Sequence, residues 1–503
     1  MNKPFAQVML MCLILAAGHS ALLAAETSGP QIMSHLAELV FDTDAHTVQI
    51  NDQVVVPAGI LDLRLGASLQ MESISSADGR SFNLSKVIGE GQDEDGSFQR
   101  IDLAACGFSD AGGEIILKYH GKFHESVENV VFSRENVGGE ITATISDEGI
   151  YLSGSAEWLA WNKDVMVIHD LTFDTPAEFE TVTQGQRTEH EVRGDRLHTR
   201  WVAENPADGL NLIANKYFVH EEPAGNGVIC QTFFLEDDEQ LRATYMERTK
   251  AYLIMYEEMI GPYPYKKFAT VENWFPTGYG MPSYTLLGGQ VLRLPFIPYT
   301  SFGHEICHNW WGNSVFVDTA EGNWCEGLTV YCADYHYKEL ESDEQARQYR
   351  RTVLKDYAAY VRQSSHDFPL SEFINRHSGA TRAVGYGKSM MVFHMISRMI
   401  GREAFLEGLQ AVAANHKFQK TSWSDFFAAF SKASGVDLKS FQEQWLTRTG
   451  APGLTVDDVK FEDNQVSFRL NQNSPPYDLQ IPVVVTTKAG TEEHVVHFNK
   501  MKD

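Results

Sequence analysis

The sequence is short of positive charge. Across 503 residues, 41 lysines and arginines face 67 acidic side chains, a formal net charge of −26. Nucleic acids and anionic membranes are held by basic patches, so this balance argues against both as partners. Long apolar runs are equally scarce. Beyond the first 25 residues nothing stays apolar for the roughly eighteen residues a bilayer-crossing helix needs, so no membrane span is expected once that segment is removed. Cysteine is sparse too: of six, Cys106, Cys230, Cys307, Cys325 and Cys332 lie past residue 25. An odd number without regular spacing does not make a disulfide framework.

What is present is a folded chain with room for about three domains, 43% of it hydrophobic. Residues 1–25 read as an export signal: Lys3, an apolar run from Phe5 to Ala17, then small residues to Ala24-Ala25. The expected destination is periplasmic or extracellular. The rival reading, an uncleaved anchor, is opposed by Gly18-His19-Ser20, which interrupts the run.

Residues 26–222 show period-two runs such as Leu61-Asp62-Leu63-Arg64-Leu65 and Val165-Met166-Val167-Ile168-His169, broken by Gly, Asp and Asn, which predicts an antiparallel β domain. Residues 223–450 are helix-rich, with an amphipathic helix over Glu239–Ile260 stopped by Gly261-Pro262, and further helices over 328–341, 344–362 and 388–400. Alternation returns over 451–503, a C-terminal β domain of immunoglobulin-like type or a fragment of one.

The chemistry concentrates in His304-Glu305-Ile306-Cys307-His308. Helical residues four apart share a face, so the two imidazoles can hold one Zn²⁺, with a third protein ligand leaving a position for water. Glu305 falls where a carboxylate can take a proton from that water rather than bind the metal. Cys307 is one step from a ligand and so about 100° away around the helix, which makes it a buried thiol. The bland alternative is an amphipathic helix with two surface histidines. Against it stand the flanks, Asn309-Trp310-Trp311-Gly312-Asn313 and Asn323-Trp324-Cys325-Glu326-Gly327-Leu328.

With these flanks the chain resembles the gluzincin metallopeptidases of the aminopeptidase N and leukotriene hydrolase family, whose pattern is H-E-x-x-H, then W-x-G-N, then a Glu-Gly ligand helix. The resemblance makes Glu326 the third zinc ligand, although seventeen residues separate it from His308 where the family usually has eighteen. Glu321-Gly322 is a rival, without the Trp-x-Glu-Gly context. A metzincin is excluded because its third histidine would fall on Ser314. The family's Y-x-K-G tyrosine, a donor to the oxyanion, corresponds to Tyr386, sixty residues past Glu326.

The family's G-A-M-E-N segment, an edge strand that contacts substrate backbone and grips its free α-amine with the Glu, corresponds to Gly280-Met281-Pro282-Ser283. Gly280 and Met281 keep the backbone role, but Pro282 stands where the amine-binding Glu is expected; Glu157 and Glu272 are the nearest candidate replacements. The resemblance implies a multidomain α+β fold with an N-terminal antiparallel β domain, a mostly helical thermolysin-like catalytic domain and a short C-terminal β segment. Because the large helical domain of longer members does not follow, it also implies a more open cleft.

The expected activity is zinc-dependent peptide hydrolysis with one Zn²⁺ per chain and peptides as substrates, aminopeptidase-like by resemblance. Two alternatives stand: a peptidase with no need for a free N-terminus, because of Pro282, and a non-catalytic, zinc-stabilised binding protein. The intact Glu305 and Tyr386 speak against the second.

Overall fold

The computed structural model describes residues 30–500 apart from 94–95, 109–110, 129, 131–140, 363–365, 463–464 and 489. The export-signal reading of residues 1–25 therefore lies outside the described residues.

The N-terminal half is β-structure in three sheets. The largest has seven strands, in the order Gln186–Arg193, Arg196–Ala207, Val165–Pro176, Gln31–Asp42, Thr47–Val56, Gly113–Lys122, Leu69–Ser76. Alternation is strict: Met33, His35, Ala37, Leu39 and Phe41 are buried while Ile32, Leu36 and Val40 are exposed. The expectation of antiparallel pairing holds except between Gln31–Asp42 and Val165–Pro176, which run parallel with His35 beside His169. No local pattern encodes that pair, because a crossover of more than a hundred residues separates its strands.

A five-stranded sheet opens the second half: Phe218–Gly225, Val228–Phe234, Lys267–Asn273, Tyr284–Gly288, and Gly278–Met281 at the edge. Its first strand straddles residue 222, where the sequence pattern changes. The middle three strands are parallel, joined first by a long helix, Glu239–Met259, and buried on both faces; every residue of Lys267–Asn273 is buried. One face of this sheet (Phe233, Ala269, Val271, Tyr284, Leu286) belongs to the core of the N-terminal sheets. The other (Val228, Cys230, Phe268, Leu287) belongs to the helical core. The long helix starts where Asp238 Oδ1 accepts from Leu241 N–H at 2.9 Å, a cap that contributes about 1 kcal/mol.

The helices read from sequence are present, with a common irregularity. The run from Cys325 to Glu341 is interrupted by a π-helical turn at Tyr331–Tyr335, and the run from Gly379 to Ile400 by another at Ala383–Lys388. The C-terminal residues form two separate two-stranded sheets, Leu454–Glu462 with Gln465–Gln472 and Leu479–Thr487 with Gly490–Phe498. Tyr477 and Leu479 anchor them in the helical core. No described helix is long and apolar enough to cross a membrane.

Candidate active site

The helix Ser301–Cys307 is short and has no side-chain cap. Its place is fixed by packing: Phe302, Gly303, Ile306 and Cys307 are buried, and Tyr256 Oη donates to the Gly303 carbonyl at 2.8 Å. That face being spent on the core, His304, Glu305 and His308 are turned to the cleft, each only partly buried. The imidazole centroids are 4.9 Å apart.

Glu326 comes from the helix beginning at Cys325, whose N–H donates to Asn323 Oδ1 at 2.9 Å. Gly327 has a reason to be glycine: a Cβ there would collide with Ser389 of the Gly379–Ile400 run. The close crossing sets Tyr386, three residues before Ser389, beside Glu326, one residue before Gly327. In a π-helical turn each residue advances less than in an α-helix, which re-aims the side chains of that turn; such turns recur at functional sites. Tyr386 sits in one of them.

One ligand atom from each of His304, His308 and Glu326 lies within 4.8 Å of the others. Glu326 Oε2 is 3.4 Å from His304 Nε2 and 3.6 Å from His308 Nε2, yet it is buried and makes no hydrogen bond. A buried carboxylate oxygen without a partner is costly. Two nitrogens and an oxygen gathered at this range form the donor set of a catalytic zinc site, so the residues fit the metal.

The outer ring nitrogens settle which tautomers face the cation. His304 Nδ1 lies 2.6 Å from Asp334 Oδ2 and His308 Nδ1 lies 3.0 Å from the Trp311 carbonyl. Carboxylates and carbonyls only accept, so both Nδ1 atoms carry protons and both Nε2 atoms are free to ligate. Cys325 is not a ligand; its thiol donates to the same Trp311 carbonyl at 3.2 Å. All five described cysteines are buried and unbridged.

With no cation bound, the same negative charges draw a proton to the histidines where a metal ion would otherwise sit. Burial alone would lower the His304 pKa, but Asp334 and Glu326 outweigh it and carry it up to about 10. Burial would raise the Glu326 carboxyl, yet the two imidazoles hold it well below the usual carboxylate range. Glu305 goes the other way: burial pushes it up, against the pull of both histidines. The Tyr386 phenol is raised by burial and by the charge of Glu326.

The opposite wall of the cleft is the edge strand Gly278–Met281. A Cβ on Gly280 would stand 2.8 Å from Glu305 Oε2 and 3.2 Å from His308 Cβ, so only glycine lets the strand come this near. Asn313 Nδ2 donates to the Gly280 carbonyl at 3.1 Å, and Asn211 of the N-terminal half reaches the Met281 sulfur at 3.4 Å.

Neither candidate replacement for the amine-binding Glu is free. Glu157 pairs with Arg64 at 2.7 Å. Glu272 is 3% exposed, pairs with Arg293 and accepts from the Leu235 N–H at 2.9 Å. The rival ligand Glu321 is occupied as well, accepting from Ser424 N–H at 2.8 Å and Oγ at 2.7 Å. Sequence reasoning missed Asp334, an acid among the buried residues Ala333 and Tyr335; it also missed the roles of Asn309 and Lys267, taken up below.

Two imidazoles from one helix, a carboxylate from the next and a phenol from a third stand together as the resemblance to the gluzincin metallopeptidases implies. Residues 300–445 match the peptidase family M1 domain. Human glutamyl aminopeptidase is 28% identical over 214 residues, 40% of this chain and 22% of that protein. Aminopeptidase N of Escherichia coli (strain K12) is 30% identical over 177 residues, 34% of this chain and 20% of that one. The matches thus span about a fifth of these relatives' length. The fold is shared more widely. The M1 zinc metallopeptidase of Deinococcus radiodurans superposes with a TM-score of 0.61 at 15% identity, covering 84% of this chain and 94% of that one. Aminopeptidase A of Legionella pneumophila, solved in complex with aspartic acid, gives 0.66 at 14% identity over 94% of this chain and 56% of its own.

Proposed function

We propose that the protein is a zinc-dependent peptide hydrolase, aminopeptidase-like in its machinery. The observation that carries this reading is the unpartnered, buried Glu326 Oε2 between two imidazoles whose tautomers are already set. His304, His308 and Glu326 would hold the ion, which when bound supplies Lewis acidity toward a water and the scissile carbonyl. Glu305 accepts the water's proton and delivers it to the leaving amine, a task suited to a carboxylate whose pKa is raised by burial. The Tyr386 phenol, kept protonated by its surroundings, donates to the oxyanion. Gly280 and Met281 offer backbone groups to an extended peptide.

Glu305→Gln tests the assignment. Zinc content should stay the same while turnover falls about 10³-fold or more; undiminished hydrolysis would remove Glu305 from the mechanism.

A second reading concerns which peptides are cut. With Pro282 in the turn and both Glu157 and Glu272 engaged, none of the acids considered for the amine is available to pair with it. This favours a peptidase that does not require a free N-terminus. Assaying one peptide with its amine free and acetylated separates the two: similar rates support the second reading, and loss of cleavage on acetylation restores the aminopeptidase.

A further inference from the structure

The turn that carries Pro282 is held by a buried lysine that the chemistry above does not use. Strands Gly278–Met281 and Tyr284–Gly288 are joined by Pro282 and Ser283, with Ser283 at φ +70°. Proline followed by a positive-φ residue is the type II pattern, where glycine or asparagine is usual. A serine there costs about 1 kcal/mol, which the surroundings must offset.

The compensation is visible on both sides. Ser283 N–H donates to Asn309 Oδ1 at 2.8 Å, and Asn309 directly follows the ligand His308. From the inner strand, Lys267 Nζ donates to Ser283 Oγ at 2.9 Å and to its carbonyl at 3.2 Å. The ammonium is 2% exposed and lies 5.3 Å from the ring of Tyr284 and 5.3 Å from that of Trp201, a residue of the N-terminal sheet.

Among the described residues no carboxylate pairs with it. Burial, with Arg187 in the vicinity, brings its pKa down to about 7. An ammonium enclosed without a counter-charge is expensive, and a space that only needed filling would be better served by an apolar side chain.

We propose that Lys267 is a positioning residue for peptide binding: by fastening Ser283 it fixes the Pro282 turn, and with it the Gly280 and Met281 backbone, where an extended substrate must pair. This rests on the peptidase reading above. The strand is pinned from the His-bearing side at two points, by Asn313 on Gly280 and Asn309 on Ser283. Lys267 is the opposing hold, and it ties the cleft wall to the N-terminal sheet through Trp201.

The test is Lys267→Met, compared with wild type on a five-residue peptide and on a single-residue chromogenic amide too short to pair along the strand. We expect KM for the peptide to rise about tenfold or more, with kcat and the short amide changed about threefold or less. Amide exchange in residues 278–288 should quicken about tenfold while zinc content holds. Ser283→Gly suits the backbone angle but removes the hydroxyl, so it should show the same split in weaker form; it decides the matter if Lys267→Met does not fold. An unchanged KM, or an equal loss on both substrates that follows the folded fraction, overturns the proposal. If the wild-type enzyme cuts no peptide, the peptidase reading fails, and the exchange measurement then decides the clamp by itself.

Discussion

The two walls of the cleft are built to different tolerances. On the wall with the candidate metal ligands each proposed function sits on a particular atom: Nε2 of two imidazoles, an unpartnered carboxylate oxygen, a raised carboxyl and a phenol. On the facing wall the functional groups are backbone, and the side chains there serve to place them. The strand edge carries Pro282 and keeps its course because the turn is held at Ser283 from both sides. On the proposed peptidase reading, bond breaking and the choice of substrate are thus carried by separable parts.

That contrast can be broken first at the metal. Glu326→Ala, or chelation of the native protein, should abolish metal binding and lower turnover about 10⁴-fold or more; elemental analysis and a peptide assay check both, and retained activity would move the site elsewhere. Tyr386→Phe should keep the metal and cost about 10²- to 10³-fold in kcat. Asp334→Asn leaves all three ligands but weakens the orientation of His304, so zinc affinity should drop about 10- to 100-fold in a competition titration, with kcat at saturating zinc affected far less.

The smallest change belongs to the strand. Pro282→Glu places an acid in the turn and, if the turn faces the substrate's amine, should raise the preference for free over acetylated peptide by about tenfold. No change in that ratio would mean that the turn does not face the substrate's first residue.

How much of this was legible in the chain follows the same division. His304, Glu305 and His308 form one local pattern, and the structure turns them together because the other helix face is spent on the core. Glu326 could be read through its Trp-x-Glu-Gly context despite a spacing one residue short, since glycine at 327 is demanded by a helix crossing. Asp334 could not, because its aim depends on a π-helical turn that nothing in the composition of Tyr331–Tyr335 announces. Lys267 was hidden beside Lys266: two lysines after a tight turn look like a solvated pair, yet Lys266 is exposed and Lys267 is enclosed. The N-terminal strands were recognisable by alternation, but the parallel partnering of Gln31–Asp42 with Val165–Pro176 is a long-range choice no short window records.

The five-stranded sheet lends one face to each of two cores. A fragment beginning at residue 223 would lose the first strand's start and present Phe233, Val271, Tyr284 and Leu286 to water. Such a piece should come out of the cell insoluble even though every zinc ligand is intact. The front half of the chain is therefore scaffolding for the sheet that walls the candidate site, not an appendage to it.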